Sequence, residues 1–367
     1  MRIAYFTHSL RSCWNHGNAH FLRGVFRELD AKGHQVQALE PKNAWSVGNL
    51  LADAGPEALN AWRDAYPTLQ TTIYDPAADL APLVQNADLV IVHEWNDPAL
   101  VAAIGRLRRQ ARFTLLFHDT HHRAVSEPEA MRRYELDDYD GILAFGATLA
   151  DVYRAWGWTT RVHVWHEAAD TAWFHPPENE TPREGAVWIG NWGDGERTAE
   201  LEDFLLRPTR DANLPLDIYG VRYPDEARAL LARYGVAYRG WLPNHRAPEV
   251  FARHALTVHV PRRFYTTLLP GIPTIRVFEA LACGIPLLSA PWSDAENLFT
   301  PGQDFLFAPD GAAMQARIRD ILNDADLRNA TVAHGLATIR ARHTCAHRAD
   351  ELLAVVATLR QPTHAST

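Results

Sequence analysis

The chain has 367 residues, of which 47% are hydrophobic and 22% charged, so it is long enough for about two globular domains. Its 36 basic and 44 acidic side chains give a net charge of −8, which argues against nonspecific binding along a nucleic-acid backbone. The sequence contains no apolar run of membrane-spanning length and no signal-peptide pattern. Its three cysteines are widely spaced and match no metal motif, which predicts a reducing, cytoplasmic location.

The first half of the chain alternates short apolar runs with amphipathic segments. The segment Ala19–Ala31 predicts a helix, because its large apolar residues fall on one face. Strands are predicted at residues 3–6, 35–39, 89–92, 113–117, 142–145 and 162–165. This alternation of strand and helix predicts a parallel, doubly wound sheet.

A second sheet is predicted after a segment at residues 174–185 that has the Pro-, Glu- and Gly-rich composition of a linker. Further strands are predicted at residues 186–189, 216–219, 237–239, 256–260, 286–288 and 306–307. The predicted α/β architecture is therefore two Rossmann-like doubly wound domains, 1–175 and 186–345, facing a cleft, which is the default ligand site of such folds. We expect a last helix, 346–360, to pack back on the first domain.

The most informative segment begins at Arg276 and reads RVFEALACGIPLLS. It predicts a short helix that ends at Gly284, because glycine adopts the left-handed conformation and Pro286 prevents continuation. Arg276 lies at the positive end of the helix dipole, where a cation is unfavourable unless an anion binds there. Glu279, one turn later, suits acceptance of hydrogen bonds from ribose hydroxyls. The segment therefore predicts a nucleotide-diphosphate pocket.

Other strand ends of the second half supply residues for the same pocket. Gly190 and Gly193 allow backbone N–H groups to approach an anion, and Arg197 is predicted to neutralise a diphosphate. Further donor-binding candidates follow the predicted strands: Asn191, Tyr219, Arg222, Trp241, Arg263 and Thr274.

The loop after the first strand has one glycine, Gly17, rather than the three of a dinucleotide fingerprint, which disfavours a nicotinamide enzyme. Asn15, His16 and Gly17 are predicted to form an acceptor-side loop, with a plain strand-to-helix turn as the alternative. Residues 44–66 are also expected to help set the acceptor. Most of the twelve tryptophans are expected in the core, although some are candidates for a sugar site.

His118 and Asp119 lie at the C-terminal end of a predicted strand, where open parallel sheets bind ligands. His118 is predicted to donate a hydrogen bond to a sugar, and Asp119 is predicted to act as a base. Two alternatives stay open: a helix cap at Asp119, and a zinc pair of His118 with His122, which no distant Cys or His set supports.

These residues resemble those of the GT-B glycosyltransferases of the family 4, or group 1, type, in particular the CgeB-like branch. The resemblance covers nearly the whole chain and is strongest from Arg276 onward. Residues 296–299 and 302–306 continue it. Residues 166–176 partly match the family's interdomain pattern GVDxxxFxP, with Asp170 as its aspartate. One departure is clear: the family often has a second glutamate eight residues before the first, and this chain has Gly271 there.

The resemblance implies that Glu279 binds the donor ribose, that backbone amides near Val277 and Phe278 bind the diphosphate, and that His118 lies near the reacting sugar. It implies a retaining, metal-independent hexosyltransferase with a nucleotide sugar as substrate and no other cofactor, UDP being favoured over GDP. The acceptor, whether small molecule, glycan or protein, is not indicated. A noncatalytic nucleotide-sugar binding protein and a nucleotide-sugar epimerase are the alternatives.

Overall fold

The computed structural model describes residues 1–15, 17–158, 161–179, 182–193 and 195–361. The chain divides into two compact units. The first comprises Met1–Ser12, Phe21–Glu167 and Cys345–Thr367, and the second comprises Cys13–His20 and Ala168–Thr344. The main segment of the first unit thus ends at Glu167, before the predicted boundary at residue 175.

A seven-stranded sheet of parallel pairs forms the centre of the first unit, in the order β3-β2-β1-β4-β5-β6-β7. The order reverses between β1 and β4, and this position is the topological switch point at which open α/β sheets bind ligands. The strands are β1 (Arg2–Phe6), β2 (Gln35–Pro41), β3 (Thr71–Tyr74), β4 (Leu89–His93), β5 (Thr114–Asp119), β6 (Gly141–Ala144) and β7 (Val162–Val164).

Helices flank this sheet. The first has the predicted bounds, and its apolar face, from Phe21 to Leu29, is buried as its periodicity requires. The helices are α1 (Ala19–Ala31), α2 (Trp45–Ala54), α3 (Glu57–Ala65), α4 (Ala81–Val84), α5 (Pro98–Arg108), α6 (Arg123–Ser126), α7 (Pro128–Met131) and α8 (Ala147–Trp156).

The second unit contains a six-stranded sheet of parallel pairs, in the order β10-β9-β8-β11-β12-β13. Its switch point lies between β8 and β11. The strands are β8 (Ala186–Ile189), β9 (Leu216–Tyr219), β10 (Ala237–Gly240), β11 (Leu256–His259), β12 (Leu287–Ser289) and β13 (Leu306–Phe307).

The helices of the second unit include two π-helical turns, Glu202–Leu206 and Phe264–Leu268, and a 3-10 turn, Asn244–Arg246. The α-helices are α9 (Thr198–Leu201), α10 (Arg207–Asp211), α11 (Asp225–Arg233), α12 (Ala247–Arg253), α13 (Ile275–Ala282), α14 (Gly311–Asn323) and α15 (Ala325–Arg342). The helix predicted after Arg276 is α13, and Gly284 follows it with a left-handed φ of 62°.

The last helix, α16 (Cys345–Arg360), belongs to the first unit. Two buried side chains fix its beginning there. The indole of Trp165 donates to the carbonyl of Arg348 at 2.9 Å, and the Arg348 guanidinium donates to the carbonyl of His166 at 2.9 Å. In the described part of the chain, no helix has both the length and the apolar character needed to cross a membrane.

Most predicted strands match the structure within one or two residues. Two strands continue two residues beyond their predicted ends: β2 continues from residue 39 to Pro41, and β5 from residue 117 to Asp119. His118 and Asp119 are therefore the last two residues of a buried strand.

Candidate functional site

Arg197 bridges the two loops at the switch point of the second sheet. Its guanidinium donates to the carbonyl of Val260, after β11, at 2.7 Å and to that of Asn191, after β8, at 2.6 Å. It also lies 5.2 Å from the centre of the Trp188 ring. These contacts fix a cation at the carboxyl ends of the two strands between which the sheet order reverses.

The charge of Arg197 is buried without a bound carboxylate among the described residues. Its Nε also has no hydrogen-bond partner in that part of the structure. Burial, and after it the charge of Arg262, lowers the pKa of Arg197 to about 10. Because a buried charge is costly unless it is paired, this guanidinium favours an anionic ligand.

The arginines after β11 differ from Arg197, because each is paired. Arg262 lies 2.8 Å from Glu196, and Arg263, a predicted donor-binding residue, lies 2.6 Å from Glu200. Of these three cations, Arg197 is therefore the one whose charge is least compensated.

His259, the last residue of β11, was not predicted as a site residue. Its Nδ1 lies 3.0 Å from the hydroxyl of Ser289 at the end of β12, and its Nε2 has no described partner. Burial, and then the charge of Arg197, lowers the pKa of His259 to about 3. A neutral imidazole therefore lies buried at this edge of the sheet.

Glu279 lies in α13 with its carboxylate fully buried. Its Oε1 is 2.7 Å from Nδ1 of His20, and its Oε2 accepts a hydrogen bond from Arg276. Burial would raise the pKa of Glu279, but Arg276 and His20 together lower it below its usual value. The carboxylate is therefore ionised and held by two groups.

His20 was missed by sequence reasoning, although it determines how Glu279 is held. The His20 ring is buried and lies 4.4 Å, between ring centroids, from Phe174, which is also buried. Asp170 holds the turn that carries Phe174, because its carbonyl accepts from the amide of Phe174 at 2.8 Å. The segment after residue 166 thus supports the carboxylate through His20.

The loop predicted to face the acceptor belongs to the second unit. Asn15 has a left-handed φ of 50°, and its amide oxygen accepts from the side chain of Asn191. A Cβ placed on Gly17 would lie 3.4 Å from a methyl group of Ile275. His16 falls outside the described residues. The structure thus brings Asn15 and Gly17 to the predicted donor residues.

Asn191 and Gly190 are held by β9 and the residues after it. The side chain of Asn191 accepts from the amide of Val221 at 3.0 Å. The amide of Gly190 donates to Tyr219, and its carbonyl accepts from Tyr223 at 2.8 Å. These contacts fix the backbone of the loop after β8.

The remaining predicted donor-binding residues differ in their burial and in their contacts. Arg222 is exposed and has a left-handed φ of 60°. The indole nitrogen of Trp241 is buried without a described partner. Thr274 precedes α13 and accepts from the amide of Val277 at 3.0 Å. Phe278 is buried against Phe299, 5.5 Å away between ring centroids.

In the first unit, His118 lies inside the core. Its Nδ1 is 2.5 Å from the hydroxyl of Tyr5, and its ring contacts His93 and Trp165. Burial lowers the pKa of His118 to about 3, so the ring is neutral near pH 7. The sugar contact assigned to it stays a prediction.

Asp119 and Glu94 are two buried carboxyl groups at the same edge. Asp119 accepts from the hydroxyl of Tyr153 and from the amide of His121, the latter at 2.9 Å. Burial raises the pKa of Asp119 to about 6, against those two bonds. Burial and the charge of Asp119 raise the pKa of Glu94 well above its usual range, although Arg123 binds it at 2.8 Å. Glu94 follows β4 and was not among the predicted residues.

No group of three or more His, Cys, Asp or Glu side chains is arranged to hold a metal ion in the described ranges. Of the zinc pair considered as an alternative, His118 with His122, the second ring lies 4.0 Å between ring centroids from that of His121. His122 also lies 2.8 Å from the hydroxyl of Ser126.

Comparison with known proteins identifies the fold. Residues 197–354 match a family model described as glycosyl transferase-like. No curated protein sequence matches the chain. Among solved structures, a sucrose-phosphate synthase from Thermosynechococcus elongatus is 16% identical with a TM-score of 0.67, and the alignment covers 98% of this chain and 99% of the other.

Two further structures show the same full-length similarity. HepE of Anabaena, in complex with UDP and glucose, is 14% identical with a TM-score of 0.69 over 98% of this chain and 100% of the other. An α-glucosyltransferase in complex with UDP and a 13-mer DNA is 12% identical with a TM-score of 0.71 over 97% and 99%.

The chain has the GT-B fold, as predicted, with two parallel-sheet α/β units. The prediction of a glycosyltransferase is confirmed at the level of the matched family domain, which lies mostly in the second unit.

Proposed function

We propose that the chain transfers a sugar from a UDP-linked donor to an acceptor, with the second unit binding the donor. The observation that carries this proposal is Arg197, a buried cation with no described carboxylate bound to it, fixed at the switch point of the second sheet. A nucleotide diphosphate supplies the negative charge that this position lacks.

The chemistry follows from where charge develops. As the bond between the sugar and the diphosphate breaks, negative charge accumulates on the leaving UDP. Arg197, Arg276 and the N-terminus of α13 are the groups that would stabilise that charge. The acceptor oxygen forms the new bond to the sugar carbon, and its proton passes to the leaving diphosphate.

Glu279 is the proposed ribose ligand. Its Oε2 is held by Arg276, whose side chain is 26% exposed, whereas its Oε1 is held by the buried His20. We infer that Arg276 moves from the carboxylate to the diphosphate when the donor binds, which frees Oε2 for a ribose hydroxyl. His20 keeps the carboxylate oriented during this exchange.

The choice of UDP is supported by the similar structures, two of which contain it. Retention of anomeric configuration, independence of metal ions and membership of the CgeB-like branch rest on the sequence resemblance and are part of the proposal. The expectation of no binding along a nucleic-acid backbone rests on the net charge of −8.

In the first unit, burial supports positioning roles for His118 and Asp119. Asp119 fixes the turn after β5 by accepting the amide of His121, and His118 fixes Tyr5. Neither side chain is exposed, so we propose that they orient the loops that meet the acceptor.

Thermal unfolding with UDP, GDP, TDP and ADP, and with their glucose conjugates, tests the donor assignment. A true ligand at a hundred times its dissociation constant stabilises the folded protein by about 2.7 kcal/mol, and we expect UDP and a UDP-sugar to give this effect. If no nucleotide raises the unfolding midpoint, or if GDP, TDP or ADP gives the largest rise, the UDP assignment is wrong.

A further inference from the structure

Two tryptophans in the first unit are exposed, in contrast to most large apolar side chains of the described chain. Trp45 is 49% exposed and Trp95 is 43% exposed. Trp45 begins α2, after β2, and Trp95 follows β4. Single exposed apolar side chains are common, but two tryptophans at one edge of a sheet mark a contact surface.

His8, after β1, joins these tryptophans. Its ring centroid lies 6.0 Å from that of Trp45 and 6.1 Å from that of Trp95. Burial lowers the pKa of His8 to about 4, although Glu40 opposes this. Since β1 and β4 flank the switch point of the first sheet, these three aromatic rings lie at the position where such sheets bind ligands. We call Trp45, His8 and Trp95 the aromatic platform.

Buried hydrogen bonds fix the loops that carry the platform. Glu40 accepts from the amides of Leu10 and Arg11, at 2.9 and 3.1 Å, and so holds the loop after β1. The hydroxyl of Ser46, next to Trp45, donates to that of Ser12 at 2.7 Å. The α2 helix therefore begins at a fixed point on the same loop.

Trp95 is held equally firmly. The side chain of Asn96 donates to the carbonyl of Phe6 at 2.9 Å, and the hydroxyl of Tyr134 donates to that of Glu94 at 2.5 Å. The Arg123 guanidinium lies 4.8 Å from the centre of the Trp95 ring. A platform fixed in this way loses little conformational entropy when it binds a ligand.

The charge around the platform distinguishes between the two kinds of ligand that stack on tryptophan, nucleic acids and neutral sugars. Two arginines near the platform are each paired with a carboxylate: Arg11 with Glu40 at 3.1 Å, and Arg123 with Glu94 at 2.8 Å. Neither of these described cations offers an unpaired charge to a phosphate backbone, so a nucleic acid is disfavoured. A neutral sugar ring suits the surface, because its C–H face packs on an aromatic ring while its hydroxyls bond to polar groups at the rim.

We propose that the aromatic platform binds a neutral carbohydrate, which is the acceptor of the transfer reaction. This inference rests on the proposed function and identifies the acceptor class. The two tryptophans supply the stacking surface, and the switch point of the first sheet supplies its location.

The test compares Trp45→Ala, Trp95→Ala and the double variant with wild type. Saturation-transfer NMR at saturating UDP measures binding of neutral oligosaccharides, a 13-mer DNA and alkyl aglycones. Transfer assays give the acceptor KM, and hydrolysis of the UDP-sugar by water gives donor use without an acceptor. Leu322→Ala, which removes an exposed apolar side chain of α14, is the matched control.

We expect each tryptophan variant to raise the KM for a carbohydrate acceptor by about three- to tenfold, with Trp95→Phe losing less than Trp95→Ala. Donor hydrolysis should stay within about twofold of wild type in all variants, since in this proposal the platform binds the acceptor and the second unit binds the donor. The control Leu322→Ala should change neither the acceptor KM nor the rate of donor hydrolysis.

Equal carbohydrate binding by wild type and the double variant would overturn the proposal, as would tryptophan-dependent binding of only DNA or an apolar aglycone. Absence of both transfer and hydrolysis of every UDP-sugar in wild type would instead reject the proposed function, so the two failures are distinguishable.

Discussion

The imidazole of His20 and the carboxylate of Glu279 form a buried pair within the second unit, with Nδ1 2.7 Å from Oε1. Neither side chain is exposed. Because Arg276 holds the other carboxylate oxygen, the proposed ribose ligand is fixed on one side by a buried group and on the other by a partly exposed one.

Replacing His20 with Gln should weaken UDP binding about three- to tenfold, because the buried 2.7 Å contact that orients the Glu279 carboxylate is lost or weakened. Isothermal titration with UDP measures this change. The control is His334→Gln, which alters another His–carboxylate pair of the same unit, with Nδ1 2.5 Å from Asp304. Equal UDP affinity in His20→Gln and wild type would contradict the role given to His20.

Arg197→Lys should raise the KM for the donor at least about tenfold and lower the free energy of unfolding by about 2–4 kcal/mol. A lysine ammonium cannot reproduce the forked guanidinium that reaches the carbonyls of both Val260 and Asn191, and the positive charge stays buried.

The control is Arg263→Lys, which alters an exposed ion pair and should change the free energy of unfolding by no more than about 0.5 kcal/mol. Urea unfolding and donor kinetics provide both readouts, and an unchanged donor KM in Arg197→Lys would argue against Arg197 as a diphosphate ligand.

Gly271→Glu, which introduces the second glutamate of the glycosyltransferases that the sequence resembles, should destabilise the protein by about 1–3 kcal/mol and should not increase activity. Gly271 has φ of 96°, and an added Cβ would lie 3.1 Å from that of Ala295. Side chains disfavour this backbone conformation. The control is Gly302→Ala, where φ is 87° and no atom lies within 4 Å of the added Cβ. This variant has the backbone strain without the steric crowding, so it should lower the free energy of unfolding by less than Gly271→Glu. A fully stable, more active Gly271→Glu variant would show that the loop can adopt another conformation.

Stability should fall as the pH decreases below about 6.5, in part because of His259. Its folded-state pKa is lowered to about 3, so between pH 6.5 and 3 the unfolded chain binds a proton that the folded chain does not. The slope is at most about 1.36 kcal/mol per pH unit for one histidine. Asp119 acts in the opposite direction, since its pKa is raised to about 6.

The difference between wild type and His259→Gln isolates the histidine, because Asp119 contributes to both. Urea unfolding between pH 4.5 and 7.5 should show that the free energy of unfolding decreases less steeply with falling pH in the variant than in wild type. Parallel stability curves would contradict the assignment of this proton to His259.

The sequence predicted the two sheets well because most strands are buried on both faces and appear as continuous apolar runs. The strand Thr71–Tyr74 was missed because it lies at the edge of the sheet and only Tyr74 is buried. The helix after Arg276 was predicted because its glycine stop and apolar spacing are local signals.

The site was predicted only in part, because its contacts join distant segments. Nothing local to His20 indicates that its ring meets Glu279 and Phe174. Burial also cannot be assigned residue by residue from composition. Trp165 is buried and Trp45 is exposed, although each lies after the end of a strand in the first unit. The strand before His118 was predicted to end at residue 117, two residues before its end at Asp119.

The most direct test of the central claim is the rate at which wild type and Glu279→Ala release UDP from a UDP-sugar, with and without a carbohydrate acceptor. We expect wild type to release UDP, faster with acceptor, and Glu279→Ala to lose at least about tenfold in kcat/KM, equivalent to about 1.4 kcal/mol of transition-state stabilisation. Tight UDP binding by wild type without turnover of any UDP-sugar would indicate a noncatalytic binding protein. Normal turnover by Glu279→Ala would contradict the proposed donor site.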